Sequence, residues 1–144
     1  MIFHDPHMIP EPILVISGLS YLIPMCAAFS RKQWYDAGIF LALTCTTVGF
    51  HGTRSETWFF LDCLAILQFL GRGILLSRKT DSFTFYSYWA AILYSLVSYF
   101  VGQQFSIMSF HPDWNTQMFF HSMMHLSSAL SAYMVLCKIG KITD

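Results

Sequence analysis

Two histidines, His121 and His125, lie four residues apart in the sequence Phe-Phe-His-Ser-Met-Met-His at residues 119–125. On a helix, residues at this spacing share one face with Cβ atoms about 5 to 6 Å apart, so both imidazoles can reach one metal ion. The segment continues as an apolar run typical of a membrane helix. Ionisable groups are costly inside such a helix, and the pair is therefore a candidate functional site.

The composition indicates that this helix belongs to a membrane protein. Of the 144 residues, 55% are hydrophobic and 11% are charged. A soluble domain carries about 25% charged residues, so lipid is the expected solvent. The formal net charge of zero gives no electrostatic reason to expect a nucleic-acid partner. All four cysteines lie in apolar runs, and we predict no disulfides.

Five apolar runs are long enough to cross a membrane as helices. A crossing needs about 20 residues, with about 17 as a lower limit. The first twelve residues contain no Lys or Arg, unlike the start of a signal peptide, so the first run is expected to be retained as a span. The sequence predicts an all-α fold, a polytopic membrane helix bundle in a single domain over residues 1–144. The predicted spans are residues 13–29, 34–51, 58–76, 83–101 and 118–136.

The basic residues fall mostly on one side of these spans. The other side carries only Arg54. The positive-inside rule makes the basic side cytoplasmic, so the N-terminus is expected to face outward, towards a periplasm, a lumen or the exterior. The basic side carries Arg31, Lys32, Arg78, Lys79, Lys138 and Lys141, with Arg72 able to snorkel towards it.

Four ionisable residues converge at one depth in this topology. Apart from Arg72, the ionisable residues considered within the predicted spans are His51, Asp62, His121 and His125, and all four fall in the outward leaflet. Three neutral imidazoles with an open fourth position are the ligand set of a catalytic zinc site. A nearby carboxylate can orient the attacking water and take its proton. Thr47, four residues before His51, could hydrogen-bond that water or a developing oxyanion.

Other interpretations of these residues remain open. A single histidine in a membrane helix often bonds a neighbouring helix, and a His-x-x-x-His pair also suits haem or a transported metal. The serine after His121 excludes the zincin pattern His-Glu-x-x-His. Asp62 could instead pair with Arg54, and Thr47 could bond a carbonyl of its own helix.

The pattern Phe50-His51, Leu61-Asp62 and His121-x-x-x-His125 resembles a membrane hydrolase superfamily. That superfamily includes alkaline ceramidases, adiponectin and progestin receptors, and factors that remodel glycosylphosphatidylinositol lipids. Its motif is a serine, a histidine four later, an aspartate eleven after that, and a final His-x-x-x-His. The resemblance implies that His51, His121 and His125 bind zinc beside Asp62, and that the chain hydrolyses a lipid amide or ester.

The outward N-terminus is similar to the ceramidase branch, whereas Phe50-His51-x-x-Arg54 also looks like the lipid-remodelling branch. Three features depart from the family pattern. Thr47 stands where the family has serine, which adds a methyl group and stiffens χ1. Five spans are predicted where the family usually has seven, so a second subunit could be needed to complete the lipid cavity. The acidic calcium-binding segment of animal ceramidases is not recognisable, because Asp5 and Glu11 are too sparse.

Three further histidines are not assigned to the site. His4 and His7 flank Asp5 and could bind a metal, but a terminal segment is more often mobile. His111 is expected in a loop, since Pro112 follows it directly. The expected partner of the chain is a lipid substrate. The alternative function is that of a non-enzymatic lipid receptor or binding protein that holds a structural zinc.

Overall fold

The computed structural model describes residues 11–139 of the chain, and these form an all-helical fold of five helices without a β-strand. Four predicted spans each fall on one helix and the span 83–101 covers a helix and the π-helical turn after it, so the predicted helical fold class is confirmed for this part of the chain. His4, Asp5, His7 and Lys141 lie outside the described residues. The helices are α1, Pro12–Ser30; α2, Trp34–Thr53; α3, Glu56–Ser77; α4, Ser82–Leu96; and α5, Trp114–Ile139.

Two helices contain irregular turns. In α1 a 3₁₀ turn at Leu19–Tyr21 precedes Pro24, whose ring has no N–H to donate to the carbonyl of Ser20. Beyond α4 the chain continues through a π-helical turn, Val97–Val101, and a last helical turn, Gly102–Phe105. Turns of the π type widen a helix locally and often border functional sites.

Local side chains define the helix ends. Asp81 caps α4, because its Oδ1 accepts the backbone N–H of Thr84 at 3.0 Å. Its Oδ2 also forms an ion pair with Lys138 Nζ at 3.0 Å. These bonds stabilise the ionised carboxylate and lower the pKa of Asp81 from 3.8 to about 2. Asp113 Oδ2 accepts the N–H of Thr116 at 2.8 Å, so α5 begins before the predicted residue 118.

Neighbouring helices run antiparallel. The backbone N–H of Glu11, at the start of α1, donates to the carbonyl of His51, near the end of α2, at 3.0 Å. The Asp81–Lys138 contact likewise joins the start of α4 to the end of α5. The bundle therefore has two ends, one holding His51 and the other holding Asp81. Its core is formed by buried apolar residues that include Leu43, Phe69, Tyr88, Ala129 and Leu136.

Within residues 11–139, two helices are long and apolar enough to cross a membrane, α1 with a mean hydropathy of 1.9 and α3 with 1.8. Large apolar side chains are also exposed on the outside of every helix. Crossing by all five helices stays a prediction. The exposed residues include Ile16, Ile23, Leu41, Phe60, Leu67, Phe83, Leu93, Phe119 and Leu130.

The sequence-based prediction missed Asp36, an ionisable residue within the predicted span 34–51, which forms an ion pair with Arg72. Asp36, only 4% exposed, lies in the first turn of α2 and accepts two hydrogen bonds from Arg72 of α3, at 2.6 and 3.0 Å. The side chain of Arg72, which was expected to snorkel, is 36% exposed, and its guanidinium makes a two-point contact with the Asp36 carboxylate. The pair lies near the end of the bundle that holds Asp81, away from His51.

Removing one member of this pair should cost more stability than removing both. Arg72→Met leaves the buried Asp36 carboxylate without its partner, which should lower stability by up to about 3 kcal/mol. The double variant Asp36→Leu/Arg72→Met should recover most of the loss, because no unpaired charge remains. Thermal unfolding of the detergent-solubilised proteins measures the difference; equal midpoints for the single and double variants would contradict it.

Candidate metal centre

His51 from α2 and His121 and His125 from α5 meet at one end of the bundle. One ring nitrogen from each can be chosen so that the three lie within 4.8 Å of one another. The ring centroids are 5.0 Å apart for His51 and His121, 5.3 Å for His51 and His125, and 5.1 Å for the pair on α5. This group could hold a metal ion, and it unites the predicted i, i+4 pair with the predicted third ligand.

Glu11 contacts the first of these histidines. Its Oε2 lies 2.8 Å from His51 Nδ1 and 2.6 Å from Arg54 Nη1. The carboxylate is buried, with Glu11 only 3% exposed. Sequence reasoning weighed Glu11 only as a sparse acidic residue. A signal was present, since a carboxylate directly before Pro12 marks a helix start on the same predicted side as His51.

Ser17 contacts His125 and was not predicted as a site residue. Its Oγ lies 2.8 Å from His125 Nδ1 and donates to the carbonyl of Leu14 at 3.1 Å. The next residue, Gly18, permits this approach, because a Cβ there would lie 2.8 Å from Thr47 Cγ2. No pattern in the sequence marks Ser17, whose role depends on how α1 packs against α2 and α5.

Asp62 lies beside the histidines on the facing helix α3. Its Oδ1 accepts hydrogen bonds from the hydroxyls of Thr47 at 2.7 Å and Thr46 at 2.9 Å. The alternative pairing of Asp62 with Arg54 is not adopted, because Arg54 contacts Glu11. The Thr47 hydroxyl donates to Asp62 on α3, and not to a carbonyl of its own helix as the alternative had it. Thr46 was missed, because adjacent residues on a helix point in different directions and its bond to Asp62 depends on how α2 packs against α3.

The histidines and Asp62 open onto a cavity of about 420 Å³ between α2, α3, α4 and α5. This volume is in the usual range of ligand pockets, about 300 to 1,000 Å³. Four of its lining residues are also exposed on the outside of the bundle: Ile66 by 38%, Leu67 by 65%, Leu96 by 43% and Phe100 by 62%. The cavity therefore opens sideways between α3 and the end of α4. Tyr99 and Phe100, in the π-helical turn, form part of its wall.

His111 does not belong to the site. Its Nδ1 accepts the backbone N–H of Asp113 at 3.0 Å in the turn before α5, as expected for a loop residue. The four cysteines are free.

Comparisons of the chain with protein-family models, characterised proteins and solved structures give no match. The resemblance to membrane hydrolases rests on His51, Asp62 and the pair His121 and His125 themselves.

Loss of one histidine should remove a bound metal. We expect the purified chain to retain one divalent ion per molecule, and His125→Ala to lose it, because two imidazoles hold an ion far more weakly than three. His111→Ala is the matched control and should keep the wild-type metal content. Elemental analysis after dialysis measures both. Full metal content in His125→Ala would contradict the assignment.

Proposed function

We propose that the chain is a zinc-dependent hydrolase that cleaves an amide or ester bond of a lipid within a membrane. The observation that carries the proposal is the three-histidine cluster, set beside a carboxylate at the end of an apolar cavity that opens sideways. Each of these features suits hydrolysis of an apolar substrate. Their union in one site favours a lipid hydrolase over the other functions considered.

The donor set fits zinc. Three imidazoles leave an open coordination position, as in hydrolytic zinc enzymes, and the cluster has no thiolate. A haem iron with His121 and His125 as its two axial ligands would place the planar haem between two imidazole rings of the same helix. The centroids of these rings are only 5.1 Å apart. Haem binding through this pair is therefore disfavoured.

The residues around the cluster supply the remaining chemistry. Zinc held by His51, His121 and His125 would act as a Lewis acid that lowers the pKa of a water molecule and polarises a carbonyl. Asp62 can take a proton from an attacking water and later deliver it to the leaving amine or alkoxide. Thr46 and Thr47 both donate to Oδ1 of Asp62, which holds the carboxylate and leaves Oδ2 for the proton. Thr47 thus orients the base, since its single hydroxyl proton points to Asp62 and not to an oxyanion.

The cavity favours an acyl chain. Its walls are mostly apolar, with residues such as Ile66, Leu70 and Ile92, and its sideways opening would face lipid tails in a bilayer. A chain could therefore slide in with its carbonyl near the histidines while the rest of the lipid stays in the membrane. Ceramides and acylated glycerolipids, including glycosylphosphatidylinositol lipids, are the substrate classes to test.

The orientation follows from charge. The histidines lie at the bundle end opposite Arg31, Lys32, Arg78, Lys79 and Lys138, so the positive-inside rule supports a multi-pass chain with its site towards the extracytoplasmic leaflet.

Hydrolysis should depend on both the metal and the carboxylate. His125→Ala should abolish the release of fatty acid, whereas Asp62→Asn should retain zinc and lower kcat about 10²- to 10⁴-fold. Mass spectrometry of products from ceramides and acylated glycerolipids measures turnover. Full activity after removal of the metal would sink the proposal, and a zinc-loaded wild type without turnover would favour a lipid-binding protein with a structural zinc.

The two threonine hydroxyls should act through Asp62. Thr47→Ser keeps the hydroxyl and should retain most activity, whereas Thr47→Val removes the hydrogen bond and should lower kcat about tenfold, roughly 1.4 kcal/mol. Thr44→Val is the matched control, because Thr44 donates only to the carbonyl of Phe40 one turn away. Steady-state kinetics on the best substrate distinguish them; equal rates for Thr47→Val and wild type would refute the role.

A further inference from the structure

We infer that α1, which supplies no metal ligand, sets the tautomer and orientation of two of the three histidines through Glu11 and Ser17. The inference rests on the proposed metal centre and concerns how its ligands are prepared. A histidine binds a metal through one ring nitrogen, and the proton on the other nitrogen decides which one is available.

Glu11 acts on His51. A carboxylate can only accept a hydrogen bond, so His51 Nδ1, 2.8 Å from Glu11 Oε2, carries the proton in this contact. The lone pair is then on Nε2. The same carboxylate oxygen accepts from Arg54 Nη1, and the backbone N–H of Glu11 donates to the His51 carbonyl at 3.0 Å. His51 is thus held at its ring and at its backbone by one residue.

Ser17 acts on His125 by a different route. A hydroxyl has one proton, and both contacts of Ser17 are hydrogen bonds only when that proton goes to the carbonyl of Leu14, which can only accept. Ser17 Oγ is then an acceptor for His125 Nδ1 at 2.8 Å, so His125 also carries its proton on Nδ1. Its Nε2 is left for a metal.

Both bonds therefore have the same consequence for the cluster. Two rings from different helices have centroids 5.3 Å apart, and the tautomers inferred above make Nε2 the nitrogen that each offers to an ion held by the cluster. Loss of such partners of ligating histidines typically weakens metal binding about 10- to 100-fold. Glu11 and Ser17 are positioning residues, because they act through His51 and His125 and not on a substrate.

The test is the affinity of the full chain for zinc, measured by competition with a chromogenic chelator. Ser17→Ala and Glu11→Ala should each weaken binding about 10- to 100-fold. Ser17→Thr and Glu11→Gln keep an acceptor oxygen and should retain most of the affinity. The matched control is Ser20→Ala, three residues further along α1, where the hydroxyl has no hydrogen-bond partner among the described residues; it should bind zinc like the wild type.

A second measurement separates positioning from general loss of structure. The visible spectrum of the cobalt-substituted protein reports ligand geometry, and it should change in Ser17→Ala but not in Ser20→Ala when both have the wild-type thermal midpoint. Wild-type zinc affinity and an unchanged cobalt spectrum in Ser17→Ala would overturn the inference. Absence of lipid hydrolysis by the zinc-loaded wild type would overturn the proposed function alone, since the affinity measurement does not depend on turnover.

Discussion

Glu11 joins the start of the first helix to the end of the second, and the candidate site depends on that junction. Its carboxylate contacts His51 and Arg54, and its backbone N–H satisfies the His51 carbonyl in the last turn of α2. The last carbonyls of a helix have no partner within it, so this bond closes a helix end as well as fixing a ring. Because α1 is anchored here, Ser17, less than two turns further along, can reach His125 on a third helix.

Two other buried carboxylates, Asp36 and Asp62, are likewise paired across a helix boundary. Asp36 of α2 is paired with Arg72 of α3, and Asp62 of α3 is paired with Thr46 and Thr47 of α2. An unpaired charge in an apolar interior costs several kcal/mol, so each contact restricts the relative positions of two helices. Two such contacts at opposite ends of the α2–α3 interface fix its register.

Close packing and open space occupy different parts of the bundle. On one side, Gly18 lets α1 approach Thr47 closely, which places Ser17 beside His125. On the other side, the irregular end of α4 contributes Tyr99 and Phe100 to a cavity wall that is partly exposed. The histidines lie between these regions. Residues of α1 hold them on one side, and the cavity leaves them accessible on the other. That arrangement separates the groups that prepare the ligands from the space available to a substrate.

The sequence by itself determined the helical fold class, the five helices and most of the site. Apolar length sets the helices, and the spacing of His121 and His125 on one face together with helix order brings them to the depth of His51 and Asp62. Only the tertiary structure showed the contacts made by Glu11, Ser17, Thr46 and the Asp36–Arg72 pair. Hydropathy and spacing describe one helix at a time, whereas these contacts depend on the rotation and separation of neighbouring helices. Those quantities are decided by packing at positions such as Gly18, where a missing Cβ lets α1 lie against the Thr47 side chain of α2.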